Sequence, residues 1–429
     1  MSGELEQLPY DDTTIDHIPI SDIVVSDIAL WTGPESLRDK AFARLRAERP
    51  VSFHPEADIP GFPLGPGFWA VTRFDDVWEV SRHPKLFQSG LGSNIFDLPV
   101  EINEFFGSMI NMDDPKHVRL RSIVQKAFTP RQIALIDDHV RDVAARVVDR
   151  LLADHLDGRC DFVTEVAAQL PLEIICQMMG IPTSDVERIF GWTNAILGAS
   201  DPDYGGTFEQ LLATSLEFFA YAQSLGEQRL EAPADDLTSA LMHASVDGER
   251  LSAAEFGSFF ILLSVAGNET TRNAISHGML QLTRHPEQRA LWWSDFDRFA
   301  PGAVEEIVRW ASPVTHFRRT ATEDTVLNAT PIAAGDKVVM FYTSANRDER
   351  HFERPYEFDI TRTPNDHVGF GAGGPHFCLG ANLARREITA MFDELHRRVP
   401  DIAIVGEPAR LRSMFINGIK RMPCAWSTT

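Results

Sequence analysis

From about residue 114 to residue 312 apolar positions recur at helical spacing, while runs with strand character are short and flank this stretch. Val51-Ser52-Phe53 and Phe68-Trp69-Ala70-Val71 read as strands near the N-terminus, and Lys337-Val338-Val339-Met340-Phe341 as a further one. The pattern predicts a mainly α fold with a minor β region. Pro and Gly cluster at residues 60–67 and mark turns. Residues 90–108 mix Gly, Asn, Pro and Phe without a period, which predicts a loop able to line a pocket.

One helix stands out. Ser252-Ala253-Ala254-Glu255 is a capping box and His285-Pro286 a stop, so a helix is predicted from Ala253 to about Arg284, roughly 48 Å long at about 1.5 Å per residue. Its apolar run ends in Ala266-Gly267-Asn268-Glu269-Thr270-Thr271. A mid-helix glycine costs about 1 kcal/mol against alanine, and a buried acid and hydroxyls need partners. A kink with a hydrogen-bonded polar patch is one explanation. The other is a site, where Ala266 and Gly267 let a flat ligand approach while Glu269 and Thr270 supply an acid and a hydroxyl for proton transfer.

A second departure is Gly369-Phe370-Gly371-Ala372-Gly373-Gly374-Pro375-His376-Phe377-Cys378-Leu379-Gly380. Leu379, Leu383, Ile388, Met391, Phe392 and Leu395 then follow at helical spacing, which places Cys378 at or just before a helix N-terminus. Free amides there favour a thiolate, and thiolate is one of the few axial ligands of haem iron. Two other readings stand beside this one. Gly369-x-Gly371-x-x-Gly374 satisfies a dinucleotide-binding pattern, but the residues before it, Thr363 to His367, lack strand character. A buried structural cysteine is the second. Between the long helix and this loop lie Glu306 and Arg309, three apart on one helical face. The same spacing at Glu79/Arg82 and Glu394/Arg397 reads as surface pairing.

Composition narrows the class. The chain has 429 residues, 44% of them hydrophobic, with no linker or repeat, and reads as one large unit. A formal net charge of −22 argues against nucleic-acid binding. Arg385, Arg386, Lys126 and Arg131 are candidates for a local basic face. Four cysteines without Cys-x-x-Cys spacing argue against a disulfide framework or a tetrahedral zinc site. Met1 to Ile20 is polar and acidic, so neither a signal peptide nor a membrane anchor is expected and a cytoplasmic location is.

Taken together, the Ala-Gly-x-Glu-Thr-Thr helix, the Glu-x-x-Arg pair and the Gly-x-His-x-Cys-x-Gly loop resemble the cytochrome P450 family, in the family's order and from about Phe42 to Trp426. The resemblance implies a tail at residues 1–30 and a single catalytic domain at 31–429, in the cytochrome P450 fold with the long helix over haem b. It implies Cys378 as the iron ligand, with Ala266, Gly267, Phe370 and Gly380 against the haem. His117, Arg121, Arg319 and His376 would hold the propionates, Thr270 and Glu269 would steer protons to dioxygen, and Glu306 and Arg309 would form the structural pair. Electrons would come from an iron–sulfur ferredoxin served by an NAD(P)H ferredoxin reductase. Two departures stand out. Gly371 occupies the place of the family's aromatic seven residues before the cysteine, with Phe370 one earlier. Glu357 stands where a basic third member of the Glu–Arg network is usual, leaving Arg354 or Arg362 to substitute.

Within the family the sequence is similar to an actinobacterial branch oxidising lipid side chains. This implies hydroxylation of the terminal methyl of a methyl-branched lipid or isoprenoid, with sterol side-chain hydroxylation as the neighbouring alternative. A haem-thiolate sensor or carrier without turnover is the alternative from another class, and a peroxide-using variant a third. Family position places the substrate pocket at the 91–112 loop, residues 190–197 and 414–416, with Ile110, Leu263, Val314, Phe317 and Phe415 as candidate contacts.

Overall fold

The computed structural model describes residues 8–428 except 59–62, 99–102, 104, 106, 128–129, 199–200, 205–207 and 246–247, and without the side chains of 127–138 and 208. The β region is a five-stranded sheet built from β1 (Val51–His54), β2 (Phe68–Val71), β3 (Phe87–Gln88), β4 (His316–Ala321) and β5 (Lys337–Phe341), in the order β1-β2-β5-β4-β3. β1 and β2 form a hairpin, and β2 lies parallel to β5 with Ala70 opposite Val339. All five residues of β5 are buried, as befits a central strand covered on both faces. The segment before residue 31 packs on this lobe, burying Tyr10, Ile15, Ile23 and Val25 with Phe68, Val339 and Phe341.

The remainder is helical: α1 (Glu35–Glu48), α2 (Phe74–Arg82), α3 (Lys116–Ala127), α4 (Pro130–Asp154), α5 (Gln169–Met179), α6 (Val186–Leu197), α7 (Phe208–Glu231), α8 (Ala253–Arg284), α9 (Phe296–Ala311) and α10 (Ala381–Arg398), with shorter helices between them. α8 has the predicted bounds. The Glu255 N–H donates to the Ser252 hydroxyl at 3.2 Å and the Ser252 N–H to the Glu255 carboxylate at 2.8 Å, so both halves of the capping box form.

α8 threads two apolar cores. Its first half buries Phe256, Phe259, Phe260 and Ile261 against α5 and α7, and its second half buries Ile275, Met279 and Leu282 against α4, α9 and α10. The polar stretch from Asn268 to Asn273 sits at the join, where neither core can cover it with apolar side chains alone. No helix among the described residues is long and apolar enough to cross a membrane. Cys160 and Cys424 face each other as free thiols across paired strands, with sulfurs 3.4 Å apart.

Candidate active site

The cysteine loop is shaped by its glycines. The Cys378 N–H donates to the Phe370 carbonyl at 2.9 Å, closing the loop on itself. Gly371 takes φ +101°, open to glycine at little cost. A Cβ on Gly374 would lie 2.1 Å from the Ser81 carbonyl of α2, so the loop packs against that helix only because a side chain is missing. The positive φ absorbs the extra loop residue, and Phe370 still reaches the cavity wall beside Cys378. The Arg385 guanidinium lies over the Phe370 ring, 4.4 Å from its centre.

Above the loop is a cavity of about 510 Å³, bounded by α8, α10 and the sheet. The Cys378 sulfur opens into it. Burial pushes the thiol up, opposed by the Gly380 N–H and by Arg121 and Arg385, so a bound cation at sulfur is what would hold a thiolate there. Gly380 leaves open space where a Cβ would stand. From α8, Leu262, Leu263, Ala266, Gly267, Thr270, Thr271 and Ala274 line the cavity. The Thr270 hydroxyl donates back to the Ala266 carbonyl at 2.8 Å.

The rim holds two guanidiniums and two imidazoles, with His117 3.7 Å from Asp114. Arg121 donates to the Phe377 carbonyl at 2.7 Å and Arg319 to the Arg318 carbonyl at 2.7 Å, and neither meets a carboxylate among the described residues. The His117 ring lies 4.3 Å from the His376 ring, and its buried Nε2 has no hydrogen-bond partner. Burial, with Arg319, His117 and Arg121 close by, pushes His376 down to about 2. Cations collected in a buried place without counter-charge cost stability unless an anionic ligand completes them. Two carboxylates entering from the cavity would do so, and the floor, rim and volume together fit haem.

Behind the cavity Glu306 and Arg309 are fully buried and joined by two bonds of 2.7 and 2.8 Å. Arg362 is the third member, its Nε donating to Glu306 at 3.1 Å. Arg354 instead pairs with Glu357 and Asp359 at the surface. Elsewhere Glu394 and Arg397 do pair, whereas Glu79 meets His83 and not Arg82. Arg385 is bound to Glu305 at 2.5 Å, Lys126 is exposed, and the Arg131 side chain lies outside the described residues.

Three expectations need correction. Glu269 does not line the cavity: one oxygen of its buried carboxylate accepts from Arg272 and, at 3.1 Å, from Asn273, and the other has no hydrogen-bond partner among the described residues. The cavity-lining positions of α8 define one arc at about 100° per residue, and Glu269 falls outside it. Residues 190–197 also miss the cavity, because α6 lies behind α8, where Asn194 accepts from Arg272 at 2.8 Å. Phe415 is a layer back, its ring edge-on to Phe317 at 5.6 Å. Ile110, Leu263, Val314 and Phe317 do line it, joined by Met109, Ile175, Met178 and Phe259. Of the 91–112 loop, residues 99–102, 104 and 106 lie outside the described set. Glu387 and Thr271 line the cavity although sequence reasoning gave them no role. The signal was available: Glu387 is an acid four residues from both Leu383 and Met391, inside the apolar stripe of α10.

A long helix over a pocket with a thiol at its floor and cations at its rim defines a haem-thiolate protein. The chain belongs to the cytochrome P450 family and is a monooxygenase. The family model for Cytochrome P450 matches residues 298–398. A methyl-branched lipid omega-hydroxylase of Mycobacterium tuberculosis is 56% identical over 410 residues, 96% of each chain. A steroid C26-monooxygenase of Rhodococcus jostii is 42% identical over 403 residues, 92% of this chain and 83% of that one. Among solved structures, a Mycobacterium marinum cytochrome P450 in complex with pseudoionone superposes with a TM-score of 0.89 at 45% identity, covering 93% of this chain and 97% of that one.

Proposed function

We propose that the protein hydroxylates the terminal methyl of a methyl-branched lipid or isoprenoid, using haem b and dioxygen with electrons from an iron–sulfur ferredoxin in the cytoplasm. The observation that carries this reading is the cavity wall above Cys378. Met109, Ile175, Phe259, Leu263, Val314 and Phe317 present no charge and no hydrogen-bonding side chain to a ligand. An unactivated hydrocarbon end suits such a wall, because any polar group placed there would be stripped of water without a partner. A polar head of the substrate therefore sits away from the reacting end. A sterol side chain offers the same branched terminus; the 56% against 42% identity of the two kinds of relative favours the open-chain lipid.

Haem bound here would supply the oxidising chemistry. Cys378 would hold the iron, its N–H tied to Phe370 so that the sulfur keeps its aim. Arg121, Arg319, His117 and His376 would pair the propionates and fix the rotation of the ring. Thr270 would orient water near the reacting atoms through its hydroxyl. The apolar wall would exclude other water and limit the substrate's approach to one end. Titration of the haem-loaded protein with methyl-branched fatty acids, isoprenoids, sterols and compact polar compounds tests the reading. Elongated branched lipids are expected to shift the haem absorption at micromolar concentration; binding confined to compact polar compounds contradicts it.

A further inference from the structure

Away from the cavity, the fold brings two of the four cysteines together. Cys160 lies on the strand Arg159–Asp161 and Cys424 on the strand Pro423–Ala425, which pairs antiparallel to it with Cys424 directly opposite Cys160. Backbone bonds two residues to either side hold that register. The Phe162 N–H donates to the Met422 carbonyl at 2.9 Å, and the Trp426 N–H to the Gly158 carbonyl at 3.0 Å. Opposite residues of an antiparallel pair have Cα atoms about 4.5–5.5 Å apart, inside the range of about 4.4–6.8 Å that a disulfide spans. The two sulfurs already face each other at 3.4 Å as free thiols. Cys160 is partly exposed and Cys424 is 1% exposed, so solvent reaches one thiol and the other is covered. The remaining cysteines are placed differently: Cys176 is buried in the core beside α5 and α7, and Cys378 opens into the cavity.

We propose that Cys160 and Cys424 are an oxidative modification site, closed by hydrogen peroxide into a reversible disulfide. A monooxygenase supplies this oxidant itself whenever dioxygen takes up two electrons and two protons without insertion into a substrate. The Cys160 sulfur attacks one peroxide oxygen and the O–O bond breaks, leaving a sulfenic acid and one water. The Cys424 sulfur then displaces the oxygen from Cys160, which leaves as a second water. Two thiols and one peroxide thus become one disulfide and two waters. The hydrogen bond to Cys424, burial, and the Glu165 and Asp161 carboxylates push the Cys160 thiol above its ordinary range. Little thiolate is present at neutral pH, so the bond forms under sustained peroxide and not at its first trace. Its effect follows from its place. The Cys160 strand precedes α5, whose Ile175 and Met178 line the cavity, and the Cys424 strand pairs on its other edge with Ala403–Ile404, which follows α10. A bond between positions 264 residues apart ties these parts together and restricts the unfolded chain.

The test needs neither substrate nor turnover. The haem-loaded protein would be exposed to hydrogen peroxide without NADPH, its remaining thiols blocked, and its peptides weighed after digestion. The expected product is a peptide carrying Cys160 joined to one carrying Cys424, two hydrogens lighter than their sum and split by dithiothreitol. The same joined peptide should form when NADPH, reductase and ferredoxin run without a substrate, and catalase should prevent it. Cys160 recovered as sulfinic acid beside a free Cys424, or both thiols intact under peroxide that oxidises methionines, overturns the proposal. The oxidised protein should also unfold at a midpoint several degrees higher and return to the starting value with dithiothreitol, while Cys160→Ser and Cys424→Ser show no rise. A joined peptide with an unmoved midpoint overturns the fastening role. If either serine variant folds poorly, reversal of the wild-type midpoint by dithiothreitol decides the question alone.

Discussion

Cys378 is aimed by backbone, through its N–H on the Phe370 carbonyl and the Arg121 guanidinium on the Phe377 carbonyl. Its side chain is thus free to bind, and Cys378→Ser should fold while losing most haem absorbance per protein, which a ratio of absorbances on the purified variant measures. Glu306 is different because its carboxylate serves Arg309, Arg362, Asn365 and the Asp359 N–H together. Glu306→Leu strands two cations in a buried place and should cost about 3–5 kcal/mol in denaturant unfolding. Arg362→Met removes one ion pair with Glu306 and the guanidinium's bonds to the Glu353, Arg354 and Glu357 carbonyls, leaves Glu306 paired with Arg309, and should cost less, about 1.5–3 kcal/mol. The Glu306/Arg309 pair was legible from spacing and order, since i and i+3 on a helix must be neighbours. Choosing Arg362 over Arg354 was not. It depends on the chain turning at Arg354, whose φ of 49° sends that side chain outward.

At the scale of elements, α8 was legible because its ends are local events: a capping box and a proline stop act within one turn. Which face of a helix meets the cavity is set by everything packed around it, so neither the turning of Glu269 away from the cavity nor the distance of residues 190–197 from it could be read from periodicity. The cysteine loop shows a third case. A one-residue insertion that looked like a displaced aromatic is absorbed at Gly371. Gly371→Ala should cost roughly 1–3 kcal/mol from backbone strain and weaken haem retention, seen as faster haem loss to an acceptor protein. Ser252→Ala should cost about 1 kcal/mol, with haem retention and product per NADPH unchanged, because the cap lies more than a turn before Phe259, the first cavity-lining residue of α8.

Across the whole molecule the fold places its chemistry where the two apolar cores threaded by α8 meet. Its acid stability follows from buried imidazoles. His54 and His277 are pushed down to about 4, and His316 to about 3, chiefly by burial. Below the ordinary histidine value of 6.5 the unfolded chain takes up protons that the folded one refuses, so stability falls as pH drops from 6.5 through about 4. Glu305, held to about 2 against burial by His367 and Arg385, adds a further loss only as pH falls below 4.5 toward 2. Thermal midpoints across this range should therefore begin to decline near 6.5; a flat profile down to 4.5 contradicts the assignment.

The apolar cavity over Cys378 and the substrate end that it selects are best tested by product structure. The purified protein, loaded with haem and supplied with NADPH, reductase and ferredoxin, would be given a methyl-branched fatty acid carrying a terminal isopropyl group, and the hydroxyl located by mass spectrometry and NMR. We expect it on a terminal methyl, against the intrinsic preference of the weaker tertiary C–H bond, because the wall from Met109 to Phe317 admits the chain end first. Hydroxylation mainly at the tertiary carbon or along the chain would contradict that account.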